Sequence, residues 1–313
     1  MARLWQAGGV ALESSQPPVS FGVSLRDWSS IEDLVAAARS AEDNEMDVVT
    51  VPDHLGGWAP FQLLAAAAAV TSRVRLRTYV LDSYFWNPAL LAREVATLDR
   101  LSGGRVEVGI GAGHMRHEHE AAGLPFPGTR QRWWHTEQVV TELRERLAND
   151  HKPEPVQTPV PVMMAAMGEQ GLSTAARMAD IVGLAGLLQV PGQPPGTFTM
   201  ASSAVTDERV ELVRDVARRQ GRSPRLDVLL QWVVLDDDPQ VSADKLASDA
   251  REQGSDWFTP ELLLDSPFLL FASTPEEASA ELRKREERWG VSCWSTHSRS
   301  ADALARVAAV HRG

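Results

Sequence analysis

The chain has 313 residues, 43% of them hydrophobic, and a formal net charge of -11. That apolar share suffices for a large core, while the acidic balance argues against nucleic acid and anionic membranes as partners. The lone cysteine, Cys293, excludes an intramolecular disulfide and a thiolate-rich zinc site.

The opening stretch MARLWQAGGVALESSQPPVS has no basic segment followed by an apolar run of signal-peptide length. No run of about 18 apolar residues occurs, so nothing is expected to span a membrane. A cytoplasmic protein is expected, with residues 1–18 as a flexible extension to a single domain covering 1–313.

From there, short apolar strands alternate with helical patterns. The first strand is predicted at 20–25 and its helix at 31–44, capped by Ser29 or Ser30, with Glu32 and Asp33 in the first turn. A second strand, 47–51, enters VTVPDHLGGW (49–58) ahead of a helix at 60–71. Pro52 ends that strand and puts Asp53 and His54 at its C-terminal lip. Histidine is the usual acid/base near neutral pH; Asp53 could orient its ring, and Trp58 offers a flat wall. The same spacing fits a plain turn whose aspartate caps the next helix, and spacing alone leaves the two readings level.

The third strand, 74–80, runs through RLRTYVLDSYFWNP (75–88) to a helix at 87–101. Tyr79, Tyr84, Phe85 and Trp86 suit a flat ring system at a barrel rim, although core packing is the commoner fate of any one of them. The fourth strand, 106–110, ends in GIGAGHMRHEHEAAG (109–123). Gly109, Gly111 and Gly113 remove side chains from one side, as the close approach of a backbone or ligand requires, and a planar cofactor across the mouth would need that room. His114, His117, His119, Glu118 and Glu120 could ligate a metal, but the spacing is not H-E-x-x-H and no helical face gathers the set. No metal is expected. His114 is expected to face a pocket, and His117, His119 and Glu120 read as a solvated, charged helix start.

A helix at 131–148 follows, then a strand at 160–165 and a helix over 172–178 that begins near Gly168 and Glu169. A helix N-terminus after a strand can hold phosphate through free N–H groups; a plain turn between strand and helix fits equally well. Next come strands at 180–184 and 226–235, helices at 207–220, 241–253 and 275–289, and a last strand at 291–296. Thr274 before Pro275 caps the helix at 275–289, and Gly290 closes it. Loops at 115–129, 186–206 and 254–267 are long enough to need a purpose. Eight strands with helices between them make βαβ units, which favour an α/β fold closed into a (β/α)8 TIM barrel, its active face built from the loops after the strands.

Taken together, VTVPDHL, LRTYVL, NPALLAREVATLDRLSGGRVEVGIGAG, the P-V-P-V strand through AARMADIVGL, LLQWVVLDDD, ELLLDSPFLL and STPEEASAELRKREERWGVS resemble the luciferase-like monooxygenase superfamily. The match is closest to its actinobacterial branch of oxidoreductases that use coenzyme F-420, a deazaflavin. It spans nearly the whole chain in family order, and residues 87–113 are its most specific block. The resemblance implies a luciferase-like (β/α)8 barrel with the cofactor at the C-terminal mouth. It makes His54 the acid or base beside the reactive ring carbon, with Trp58 near the same carbon. It places a non-proline cis peptide at Tyr79-Val80 that buttresses the ring, and sets His114 against substrate where some relatives carry glutamate. Asp53, Tyr79, Val80, Gly111, Gly113, Met167 and Gly168 become the cofactor-binding set.

The chain departs from the pattern in two places. The turn after the fifth strand, commonly Gly-Gly in relatives and in contact with the cofactor phosphate, reads Ala165-Ala166-Met167-Gly168-Glu169. Met167 removes backbone freedom, and Glu169 brings negative charge toward the expected phosphate. Residues 150–157 are also shorter than the hairpin many relatives carry there, and both changes are expected to lie around the cofactor's tail. Three functions follow. The first is hydride transfer between the deazaflavin and a small organic substrate, as in a biosynthetic pathway. The second is an FMN-dependent monooxygenase. The third is a barrel that needs no cofactor and performs acid–base chemistry or ligand binding. Relatives are often homodimers, so a homodimer acting on a small molecule is expected.

Overall fold

The structure is a computed structural model and describes residues 18–26, 29–149, 151–193 and 197–313. The stretch expected to be an N-terminal extension lies, apart from Pro18, outside the described residues.

Eight parallel strands close into a barrel. They are β1 (Ser20–Ser24), β2 (Val48–Val51), β3 (Arg75–Thr78), β4 (Val106–Gly111), β5 (Val162–Ala166), β6 (Ile181–Leu184), β7 (Arg225–Leu230) and β8 (Val291–His297). Each pairs with its sequence neighbour, and β8 returns to β1 with Phe21 opposite Trp294. All eight fall where alternating apolar runs predict them. A short continuation of β3, Leu81–Asp82, resumes the pairing with β4 after a break at the cis peptide Tyr79-Val80.

The outer helices are α1 (Ile31–Asp43), α2 (Pro60–Val70), α3 (Pro88–Ser102), a short α4 (Arg116–Ala121), α5 (Thr129–Ala148), α6 (Glu169–Met178) and α7 (Ser203–Arg219). Caps mark several boundaries: Ser30 accepts from the Asp33 N–H, and Thr274 from the Glu277 N–H. Gly290 ends its helix at φ +67, a conformation that costs glycine little.

Two expectations change between 226 and 313. The single strand predicted at 226–235 is two. β7 stops at Leu230, and Trp232–Leu235 leaves the barrel to pair in parallel with Leu269–Ala272. The helices Pro239–Glu252 and Pro260–Asp265 lie between those outer strands. The helix predicted at 241–253 therefore belongs to this excursion. The eighth barrel helix is Ala301–Arg312, whose Leu304, Val307 and Ala308 are fully buried. Continuous apolar character across Gln231 hid the break, because periodicity does not show which sheet a strand joins. The loop expected at 186–206 contains an antiparallel pair, Leu187–Gln189 with Phe198–Met200, and the start of α7.

The main apolar core lies between sheet and helices and includes Val49, Val51, Leu64, Leu91 and Leu143. The barrel interior is polar. Arg77, 1% exposed, donates to Glu107 at 2.6 Å and to Asp227 at 2.5 Å. The Tyr79 hydroxyl donates to Asp227 at 2.8 Å, and Arg75 donates to Glu107 at 2.5 Å. Burial works against charge on these groups, but the two arginines hold the Glu107 carboxyl below its usual range. Burial and then Asp227 drive the Tyr79 phenol well above its usual range.

Glu42 at the end of α1 ties down the turn before β3. Burial tends to raise its pKa, but the backbone N–H groups of Arg73, Val74 and Ser72 and the Ser72 hydroxyl bring it to about 2. A depressed carboxylate stabilises the fold above its unfolded pKa, and that gain is lost as pH falls through the folded one. Glu42→Gln should therefore cost about 1 kcal/mol at neutral pH, after allowance for partial solvent screening. In urea melts the gap between wild type and variant should close as pH drops from 4.5 toward about 2.

Candidate active site

A cavity of about 640 Å³ opens at the C-terminal ends of the strands, within the range of small-molecule sites. It lies where βα loops converge in barrels of this kind.

Its floor is Tyr79, held from below by Asp227, with Val80 and Gly111 beside it. The glycines of β4 make room chiefly for the neighbouring chain segment. A Cβ on Gly109 would lie 1.9 Å from the Thr78 carbonyl oxygen, and one on Gly111 3.0 Å from the Val80 side chain. At Gly113, φ is +66, and a Cβ would lie 1.9 Å from Asp82 Oδ2. Gly109 admits the 78–82 segment, which in turn forms the floor, while Gly111 and Gly113 both approach that segment and line the cavity. Gly109→Ala should cost about 1–3 kcal/mol or more, since backbone on the adjoining strand must shift. Its thermal melting temperature, set against that of Gly123→Ala in an open turn, checks this.

His54 lies on the wall. β2 ends at Val51, and the loop turns at Pro52; the Gly57 N–H then bonds the His54 carbonyl at 3.0 Å. The partner of the ring is not Asp53. Nδ1 of His54 is 2.9 Å from Glu118 Oε1, on α4, and Glu118 is 5% exposed. Asp53 instead accepts from the Trp86 indole at 2.8 Å, and burial pushes its pKa up. Trp86 packs edge-on against Phe61.

His114 lines the cavity as expected, edge-to-face with His54 at 5.9 Å between ring centres. Desolvation by the cavity walls, then the neighbouring His54, lowers its pKa; Glu118 and Asp82 oppose the shift. His119, read from sequence as solvated, is fully buried: Nε2 meets Asp82 at 2.8 Å and Nδ1 meets the Pro125 carbonyl at 2.8 Å. His117 and Glu120 are exposed. On this six-residue helix the adjacent Glu118 and His119 share the inward face while Arg116, His117 and Glu120 face out, and strong polarity concealed the inward pair. Among the described residues, no group of three His, Cys, Asp or Glu side chains is placed to hold a metal.

Trp58 is not brought to the cavity. Gly56 at φ +93 turns the chain, and Trp58 is 56% exposed outside the lining. Met167 and Gly168 do line it, as does Glu169. Gly168 starts α6 with no side-chain cap, so the first N–H groups of the helix stay available. Arg132 of α5 lies on the same wall, its Nε buried without a partner. The short segment before β5 is at the other end of the barrel. Val156 and Gln157 donate to Asp99 near the end of α3, and Gln157 accepts from Arg75 at the start of β3. Its length has no bearing on the mouth, which corrects the expectation that it flanks the cofactor's tail. The sequence reading also missed Gln231, which meets His297 at 3.2 Å on the cavity wall; a strand-exit glutamine carries no signal of its own.

The luciferase-like monooxygenase family profile matches residues 9–310. The chain belongs to the luciferase-like monooxygenase family. As a member, it is an oxidoreductase. It is 28% identical over 291 residues to an F420-dependent glucose-6-phosphate dehydrogenase of Amycolatopsis mediterranei, covering 80% of this chain and 84% of that one. Other curated relatives align over 31–68% of their own length. Its fold is like that of the coenzyme F420-dependent tetrahydromethanopterin reductase of Methanopyrus kandleri, with a TM-score of 0.72 and 19% identity over 93% of this chain and 97% of the other. A monooxygenase from Streptomyces bottropensis superposes with a TM-score of 0.69 at 23% identity, over 93% and 97% of the two chains. Among the described residues, no helix of this family member is long and apolar enough to cross a membrane.

Proposed function

We propose that the protein is a deazaflavin-dependent oxidoreductase that passes a hydride between coenzyme F-420 and a small organic substrate. The observation that carries this reading is His54, held by Glu118 on the wall of the cavity beside the Tyr79-Val80 floor. The deazaflavin assignment draws on the Amycolatopsis relative.

The residues present suit such a group. Val80 and Gly111 make part of the lining apolar, as a ring system requires. The uncapped start of α6 and Arg132 offer donors to a phosphate, and Glu169 reduces that pull without removing it. Tyr79, Val80, Gly111, Met167 and Gly168 would hold the cofactor. When bound, a deazaflavin supplies a ring carbon that accepts or gives a hydride. His54 takes up at Nε2 the proton a substrate hydroxyl loses as its C–H hydride departs, or returns it in the reverse direction. The cavity walls keep both partners close and exclude water, which supplies much of the rate gain.

Cofactor-stripped protein titrated with coenzyme F-420 and with FMN, followed by fluorescence and absorbance, tests the reading. Low-micromolar, stoichiometric F-420 binding is the expected result. Preference for FMN would replace hydride transfer with oxygen chemistry, and binding of neither would leave a barrel acting without either cofactor.

A further inference from the structure

We propose that Glu118 is a positioning residue for His54: it accepts the Nδ1 proton, presents Nε2 to the cavity as an acceptor, and steadies the imidazolium once Nε2 has taken a proton. The inference rests on the reading above for the purpose of that proton, but not for the tautomer itself. An ionised carboxylate only accepts hydrogen bonds. With Glu118 Oε1 2.9 Å from Nδ1, the neutral ring carries its hydrogen there and leaves Nε2 bare. A lone imidazole in a wet cleft has no such constraint.

The carboxylate is held as firmly as the ring. Glu118 is 5% exposed on α4, and the next residue, His119, anchors that helix through Asp82 and the Pro125 carbonyl. A six-residue helix would fray on its own; these contacts keep Glu118 in register. Among the described residues, Asp53 on its own loop and His114 after β4 interact with His54, and Asp82 after β3 and Arg132 on α5 act on His114. Arg26, Glu169, His297 and Arg299 line the same cavity. Asp53 is taken up by Trp86 and Asp82 by His119, so Glu118 is the carboxylate in contact with the ring. His114 stands edge-on to His54, and desolvation and then His54 lower its pKa.

Nitrogen-15 NMR of the imidazoles in the whole protein, with His54 assigned by the signal missing in His54→Asn, tests this without any cofactor. Wild type should show neutral His54 mainly as the Nδ1–H tautomer. Glu118→Gln should mix the tautomers and move the His54 titration to lower pH, and Glu118→Asp should partly restore both. In turnover, Glu118→Gln should lower kcat by at least about tenfold with little change in KM, and shift the acid limb of the pH profile downward. A wild-type ring protonated mainly at Nε2 would overturn the proposal. So would an unchanged tautomer and titration in Glu118→Gln, even with reduced kcat, since that pattern marks a merely structural role. Should Glu118→Gln fail to fold, the wild-type tautomer and Glu118→Asp still decide. Failure to bind coenzyme F-420 would defeat the proposed function and leave the NMR outcome to judge Glu118 alone.

Discussion

Asp227→Ala should destabilise the protein by about 3–5 kcal/mol, because it strands a buried guanidinium. Asp227 is fully buried and accepts from Arg77 at 2.5 Å and from the Tyr79 hydroxyl at 2.8 Å. Arg75 and Arg77 balance Glu107 and Asp227 in charge. Removing one carboxylate leaves Arg77 with Glu107 alone, inside a closed barrel where water cannot replace what was lost. Taking out both members of a pair costs less, since no charge is left unpaired. The double variant Arg77→Met, Asp227→Leu should therefore lose clearly less than the sum of the two single losses. Guanidinium unfolding of Asp227→Ala, of Arg77→Met and Asp227→Leu singly, and of the double variant measures this. A loss under about 1 kcal/mol for Asp227→Ala would mean that the interior is hydrated and Arg77 finds other partners. The same substitution frees the Tyr79 hydroxyl beneath the cavity, so any cofactor bound there should be held less rigidly.

His54→Ala should reduce turnover by about 100- to 10,000-fold, the usual worth of a placed acid or base. Cofactor affinity should change little, because the floor and the start of α6 are untouched. Stopped-flow or steady-state assays with coenzyme F-420 would read the first effect and a fluorescence titration the second. Equal turnover in the variant would sink the assignment of His54. A matched loss of affinity and turnover would instead make it a binding residue. His114→Ala makes a useful comparison. It keeps the His54–Glu118 pair, so any loss it shows belongs to substrate contact or to the edge-on packing between the two rings.

Much of this fold is written locally. Most barrel strands are short, largely apolar runs set between cap and turn residues, and such signals act over a few neighbours. Ser30, Thr274 and Gly290 mark helix ends because their side chains or free φ satisfy groups one turn away. Pro52 after Val51 likewise predicted that Asp53 and His54 would leave a strand at the barrel mouth, where both now line the cavity. The position of the cis peptide at Tyr79-Val80 came from family resemblance, and the fold has it there.

The amino-acid sequence by itself determined the eight strands, the barrel they close into, and which loops reach its mouth, because periodicity and turn chemistry are short-range. Tertiary structure decided every pairing that crosses from one loop to another. Glu118 reaches His54 across 64 residues, and Asp227 meets Arg77 across 150. No spacing rule links such positions. Asp53 is the adjacent acid, yet Trp86 takes it, while Trp58 turns away to solvent. His119 looks like part of a solvated charge run until Asp82, after β3, supplies the partner that holds it in the interior. A buried polar group needs a partner to be stable, and only the closed barrel determines where that partner is.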